Sequence, residues 1–186
     1  MKRLFTVLLF FVSMYSYSQC VSNQTHTLTP AGPYSPGQVV VVNYTLGNFT
    51  GINVNWIHAF QINLGPGWTN LTPISTPGNP IGSAGNWLWD IQHTYPGGFN
   101  FGPGWRFENS GNAGWGTSSS GPFTMSFQVT VVQTCTADDL SISIEVFDDC
   151  STGGWSNGGC CVDPPYSIYN SVVQIILPTT PPISHY

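Results

Sequence analysis

The chain has 186 residues, of which 41% are hydrophobic, 14% aromatic and only 6% charged. This content of core-forming residues is too high for a disordered chain, and the length suits one domain. Three Lys and Arg residues in the whole chain argue against a nucleic-acid partner, because phosphate binding requires clustered basic residues.

Residues 1–19 are predicted to form a secretory signal peptide. Two basic residues precede an apolar run that ends in small residues, and the run is shorter than the roughly 20 residues of a transmembrane helix. Cleavage is expected after Ser18 first and after Gln19 second. Lipidation of Cys20 is disfavoured, because the bulky Gln19 stands where a lipoprotein signal needs a small residue. We therefore expect an exported protein, extracellular or on the outer cell surface, with the periplasm as the alternative.

Loss of the signal peptide leaves Arg106 as the one basic residue beside eight Asp and Glu, a formal charge of −7. Average soluble proteins contain about 25% charged residues. The surface is therefore expected to consist of uncharged polar side chains, which suit glycan and matrix contacts without long-range steering.

Strand patterns recur along the chain, whereas helix patterns do not. Apolar and polar residues alternate with period two, and Gly, Pro and Asn turns separate the alternating segments. This arrangement predicts a single all-β domain over residues 20–177, an antiparallel immunoglobulin-like or jelly-roll β-sandwich. The predicted strands are residues 38–46, 54–64, 86–91, 105–108, 123–131, 140–146 and 168–177.

Two segments differ from this pattern. Residues 65–121 are dense in Gly, Pro, Asn and Trp, and long loops of this kind on a β scaffold are where binding usually occurs. Residues 178–186 form a Pro/Thr-rich linker or tail, whose prolines stiffen the chain. Such a tail would make the chain one module of a longer, multi-domain protein.

Five cysteines in an exported chain predict disulfides. Cys150 can pair with Cys160 or Cys161 by closing a glycine-rich loop. Neighbouring cysteines in extended chain face opposite ways, so the other one can reach Cys20 or Cys135. Cys135 and Cys150 are separated by a strand and lie too far apart to pair.

The same loop offers a weaker hypothesis of a calcium site. Asp148, Asp149 and Asp163 would supply the hard oxygen ligands that calcium prefers. The loop lacks the regular spacing of a dedicated calcium loop, and no Cys-x-x-Cys pair indicates zinc. We expect a stapled loop and no cofactor, with calcium as the alternative.

Catalytic patterns are weaker still. No Gly-x-Ser-x-Gly elbow occurs, and the four histidines are scattered, with His58 on the apolar face of its strand. Asp90, Glu108 and Glu145 can be combined into carboxylate pairs for glycoside cleavage, but any eight acids offer such pairs. No catalytic residue is predicted.

Tryptophans beside glycines are the best functional hint. Trp68, Trp105, Trp115 and Trp155 are candidate ligand-binding residues, because a glycine neighbour uncovers a ring that can then stack on a sugar face. The competing hypothesis is that these rings close the ends of the sandwich over its core.

Several short phrases suggest a family. They are Pro-Gly-Gln-Val-Val at 36–40, Asn-Trp-Ile-His-Ala-Phe at 55–60, Gly-Pro-Gly-Trp at 65–68 and 102–105, Asp-Asp-Leu-Ser-Ile at 138–142 and Gly-Gly-Trp at 153–155. Together they resemble an N-terminal β-sandwich module of large secreted surface proteins of Bacteroidota, the group with gliding motility and type IX secretion. The resemblance implies an adhesin-like, cell-surface protein. Such proteins usually carry a C-terminal sorting domain, where this chain has its Pro/Thr tail.

The sequence thus predicts a non-catalytic adhesion or structural module that contacts a surface protein or a glycan. A carbohydrate-binding module that uses the loop tryptophans is the alternative, and a secreted hydrolase is the second alternative.

Overall fold

A computed structural model of the protein describes residues 20–50, 56–78, 84–94, 100–111, 114–132, 140–149 and 163–169. These residues contain eleven strands and no helix, so none of them belongs to a helix that could cross a membrane. The strands are β1 (Val21–Thr29), β2 (Val39–Phe49), β3 (Ile57–Leu64), β4 (Trp68–Ser75), β5 (Gly85–Asp90), β6 (His93–Thr94), β7 (Asn100–Phe101), β8 (Gly104–Asn109), β9 (Phe123–Val131), β10 (Ser141–Asp148) and β11 (Tyr166–Tyr169).

Two antiparallel sheets pack face to face, which confirms the predicted β-sandwich. The four-stranded sheet has the order β1-β2-β9-β4, and the five-stranded sheet has the order β11-β10-β3-β8-β5. The first order matches strands A, B, E and D of an immunoglobulin domain, and β3, β10 and β11 match C, F and G. Of the two predicted sandwich types, the strand order is therefore the immunoglobulin-like one, extended by β8 and β5.

The core lies between the sheets and follows from the period-two alternation. In β2, residues 40, 42, 44 and 46 are buried, while their neighbours are partly exposed. Each fully buried large apolar side chain stabilises the fold by about 1.5–3 kcal/mol. The largest buried side chains are Trp105, Tyr34, Tyr44, Phe60, Phe101, Phe107, Phe123 and Phe127.

The strands predicted from alternation coincide with β2, β3, β5, β8, β9 and β10, within a few residues at each end. The predicted segment 168–177 overlaps β11 at residues 168–169, and the rest of it lies outside the described residues. The edge strands β1 and β4 were missed. Both are mostly exposed. Strand β1 carries polar residues at seven of its nine positions, and the apolar Trp68, Leu71 and Ile74 of β4 are spaced three apart, so neither strand shows period-two alternation.

Both edges of the four-stranded sheet are irregular. Asn23 in β1 and Asn70 in β4 have positive φ values of 58° and 53°, a conformation that asparagine tolerates better than most residues. The pairing of β4 with β9 shifts register twice, and Pro73 removes a hydrogen-bond donor. Such irregular edges disfavour edge-to-edge aggregation.

A small hairpin of β6 and β7 lies beside the five-stranded sheet. Phe101 of β7 is buried with Ala59 of β3, and Phe147 packs against this pair, with ring centroids of the two phenylalanines 6.5 Å apart. Position 104, next to the Phe101 ring, requires glycine, because a Cβ there would collide with the Phe60 carbonyl oxygen.

Candidate functional site

The outer face of the five-stranded sheet carries a row of uncharged polar residues. Ser143 of β10 lies opposite Ser167 of β11 on one side and Asn63 of β3 on the other. Cross-strand partners point to the same side of a sheet, so these three side chains share one face. Ile142 and Ile144 are buried in the core, which places the row on the solvent side.

A groove of about 410 Å³ opens at this row, at the end of β3. None of its lining residues is charged. We call it the serine groove, and it is lined by Asn63, Leu64, Gly65, Ser141, Ile142, Ser143, Pro165 and Ser167. Hydroxyl and amide groups both donate and accept hydrogen bonds, so the groove suits a neutral ligand rich in hydroxyl or amide groups.

Charged residues lie elsewhere on the sheet. The Arg106 Nε donates to Asp90 Oδ2 at 2.9 Å, and an Arg106 terminal nitrogen lies 4.0 Å from Glu108 Oε1. Both carboxylates are therefore ion-paired with the same guanidinium. Glu145 lies on β10, where burial raises the pKa of its carboxyl group.

Asp90 and Glu145 occupy one cross-strand row. Asp90 lies opposite Gly104, Gly104 opposite Gln61, and Gln61 opposite Glu145. Three interstrand spacings separate the two acids, about 14 Å between backbones at roughly 4.8 Å each. The carboxyl groups of glycosidases are about 5–9.5 Å apart. The register therefore does not favour this pair as hydrolase carboxylates.

Two of the candidate sugar-binding tryptophans are in the core. Trp68 and Trp105 are 5% and 1% exposed. The Trp68 ring packs on Tyr34, with centroids 5.7 Å apart, and the Trp105 ring packs on Trp89 at 4.7 Å. A buried ring cannot stack on a sugar, so for these two the structure supports the hypothesis that they close the core.

The other two candidates differ in position. Trp115 is partly exposed and forms a tilted pair with Trp56, with ring centroids 5.1 Å apart. Trp155 lies outside the described residues. Trp56 falls within the predicted strand 54–64, but it is only partly buried and precedes β3. Trp56 was not among the candidate residues, and only the fold shows that its ring meets that of Trp115.

Asp149 joins three segments beneath this tryptophan pair. Its carboxylate is fully buried and accepts hydrogen bonds from the backbone N–H of Trp56 and of Gly116, each at 2.9 Å. The Asp149 N–H donates in return to the Trp56 carbonyl oxygen at 2.9 Å. Gly116 permits the close approach, since a Cβ there would collide with the Ile57 carbonyl oxygen.

The three candidate calcium ligands are not gathered around one point. Asp149 holds the backbone of residues 56 and 116, whereas Asp163 accepts hydrogen bonds from the backbone of Cys20. Asp148 is buried at the end of β10. The described part of the chain contains no cluster of three or more His, Cys, Asp or Glu residues that could hold a metal ion.

Cys20 is 1% exposed and disulfide-bonded, and its partner lies outside the described residues. Cys135, Cys150, Cys160 and Cys161 all lie outside them as well. The pairing of Cys150 with Cys160 or Cys161 therefore stays a prediction.

His58 is 1% exposed, as expected for a core histidine. Burial lowers the pKa of its imidazole to about 4, and the positive charge of Arg106 acts in the same direction. The side chain is therefore neutral at pH 7. An unfolded histidine, with a pKa of about 6.5, takes up a proton more readily.

Acidification is expected to destabilise the protein through His58. Between about pH 6.5 and 4 the unfolded state binds a proton that the folded state does not, so stability falls as pH falls. From pH 7 to pH 5 the wild type should lose about 2 kcal/mol more than a His58→Gln variant. Urea unfolding of both proteins at the two pH values measures this difference. An equal loss in both would show that other groups are responsible.

Comparison of the whole chain with models of protein families, with curated proteins and with solved structures finds no match. The resemblance to a Bacteroidota surface module therefore stays a prediction.

Proposed function

We propose that the chain is a non-catalytic binding module of an exported surface protein, and that the serine groove contacts its partner. The observation that carries this proposal is an uncharged groove, with three serines and an asparagine in its lining, on three hydrogen-bonded strands. A sheet holds such groups in fixed positions, which lowers the entropy cost of binding.

The partner is expected to be neutral where it enters the groove. A charged group there would lose hydration without meeting an opposite charge, because no lining residue is ionised. Binding should therefore depend on hydrogen bonds and shape, and only weakly on salt. This chemistry agrees with the adhesive role that the resemblance implies.

The non-catalytic part of the proposal is supported by how the acids are used. Asp90 and Glu108 are ion-paired with Arg106, and Asp149 and Asp163 hold backbone N–H groups. These four carboxylates therefore already have a cation or a backbone N–H donor of the protein as partner.

A carbohydrate is the second candidate partner, and the groove lining itself favours it. Serine hydroxyls and an asparagine amide match the alternating donors and acceptors of a sugar ring. The half-buried pair of Trp56 and Trp115 forms a separate surface. Strand β3 rises about 3.3 Å per residue, so Trp56 before its start lies roughly 20 Å from Asn63 in the groove. A glycan held only by stacking on aromatic rings would bind at the tryptophan pair instead of the groove.

We expect a double variant, Asn63→Arg with Ser167→Arg, to weaken binding at least about tenfold, a loss of about 1.4 kcal/mol. Both residues are exposed, so the change should not affect folding. The measurement is retention on insoluble cellulose, chitin, xylan and peptidoglycan and on immobilised collagen and fibronectin, with released sugar assayed in parallel. The matched control is Thr69→Arg with Thr72→Arg on the exposed surface of β4, which adds the same charge elsewhere.

Each outcome assigns a function. Retention by a matrix protein supports the adhesion module, and retention by a polysaccharide supports the carbohydrate-binding module. Released sugar would overturn the non-catalytic assignment. Equal loss of retention in the groove variant and the control would show that added charge, and not the groove, is responsible.

A further inference from the structure

The carboxylate of Asp163 holds the backbone nitrogen of Cys20 with both oxygens. The Cys20 nitrogen lies 3.1 Å from Oδ1 and 3.0 Å from Oδ2, and the Val21 N–H donates to Oδ1 at 3.3 Å. An amide nitrogen has one hydrogen to divide between two acceptors. An ammonium nitrogen has three, and its hydrogen bonds to a carboxylate are about twice as strong.

The scarcity of basic residues also favours an ammonium group as the partner of Asp163. After residue 19 the only Lys or Arg is Arg106, which is ion-paired with Asp90 and lies near Glu108. The carboxylate of Asp163 instead accepts from the backbone N–H groups of Cys20 and Val21. A partly buried carboxylate gains most from a positive charge at its donors.

We propose that the chain is cut between Gln19 and Cys20, and that Asp163 binds the α-ammonium group created by the cut. A signal peptidase adds water across this amide bond during export, before the fold buries it. The hydroxyl goes to the Gln19 carbonyl carbon and a hydrogen to the Cys20 nitrogen. At neutral pH the new acid then loses a proton and the new amine gains one.

An ion pair between Cys20 and Asp163 would connect the two sheets of the sandwich. Cys20 directly precedes β1, an edge strand of the four-stranded sheet, and Asp163 precedes β11, an edge strand of the five-stranded sheet. The ion pair would join the two sheets along one side of the sandwich. Because the Cys20 sulfur is in a disulfide, it is not available for the thioether of a lipidated N-terminus.

The positive charge of the Cys20 α-ammonium group determines how this stabilisation depends on pH. Binding to a carboxylate raises the pKa of the α-amino group above its ordinary value of about 8. The stabilisation is therefore fully present below about pH 8 and is lost as pH rises through the raised pKa. A chain extended by one residue has a neutral amide at this position and lacks this stabilisation.

The test compares two forms of the protein, one that begins at Cys20 and one with a single glycine before Cys20, each released from a cleavable tag. The Cys20 form should have an about tenfold larger folding equilibrium constant at pH 7, and the difference should fade above about pH 9. Asp163→Asn should abolish the difference, whereas Glu108→Gln, which removes an exposed carboxylate, should preserve it. Equal stability of the two forms at pH 7 would overturn the proposal.

Two further readouts test the cut itself. The exported precursor should have the intact mass of a chain that begins at Cys20, and a mass for any other first residue contradicts the proposal. Because no lysine follows residue 19, the α-amine is then the one primary amine of the mature chain. An amine-reactive reagent should label the folded wild type more slowly than Asp163→Asn at pH 7, and equal rates would show that Asp163 does not bind the amine.

Discussion

Trp105→Ala is expected to lower the free energy of unfolding by about 3–5 kcal/mol. The Trp105 side chain is buried on β8 and contacts Trp89 of its own sheet and Phe127 of the opposite sheet, with ring centroids 4.7 and 6.2 Å apart. Truncation removes this contact between the sheets and leaves a cavity that the surrounding strands cannot fully close. Urea unfolding monitored by circular dichroism measures the effect without depending on the tryptophan signal.

Trp115→Ala is the matched control for this prediction. It removes the same side chain from a partly exposed position, so it should cost less than half as much as Trp105→Ala. If instead Trp105→Ala left stability within about 0.5 kcal/mol of the wild type, the ring would not be part of the core. Trp105 would then return as a candidate for sugar stacking.

Asp149→Ala is expected to cost about 2–5 kcal/mol. The substitution leaves the buried N–H of Gly116 and the partly buried N–H of Trp56 without their acceptor, and a fully buried orphaned donor costs about 1–3 kcal/mol. Asp149→Asn keeps one acceptor oxygen and should fall between the wild type and Asp149→Ala. Thermal unfolding of the three proteins at pH 7 orders their stabilities.

Glu108→Ala provides the control for the loss of a carboxylate, because Glu108 is an exposed surface acid. It should change stability by no more than about 0.5 kcal/mol. A loss from Asp149→Ala no larger than this would mean that the three segments are held together by other contacts.

The strands that alternate strongly were predictable from sequence, because burying one face of a sheet imposes period two on the residues. Strand β9 is an example, since its buried and exposed positions follow the alternation of Phe123 to Val131 closely. Strands β1 and β4 were not predictable, because an edge strand in contact with solvent need not alternate. Their pairing with β2 and β9 is a tertiary property of the fold.

The residues of the candidate site were less predictable from the sequence than the strands were. Glycine neighbours made Trp68 and Trp105 look exposed, yet both rings are buried. At Gly104, which precedes Trp105, the missing Cβ lets the backbone approach the Phe60 carbonyl oxygen. The serine groove gave no local signal. Asn63, Ser143 and Ser167 are ordinary polar residues separated by 80 and 24 positions, and only the registers of β3, β10 and β11 bring them together.

The most direct test of the serine groove is chemical-shift mapping of the amide groups of isotope-labelled protein. The ligand is a soluble fragment of whichever polysaccharide or matrix protein retains the wild type. The amide signals of Asn63, Ser143 and Ser167 are expected to shift together and to saturate at one ligand concentration. Shifts confined to Trp56 and Trp115, at the far end of β3, would contradict this expectation and would place the binding surface on the tryptophan pair.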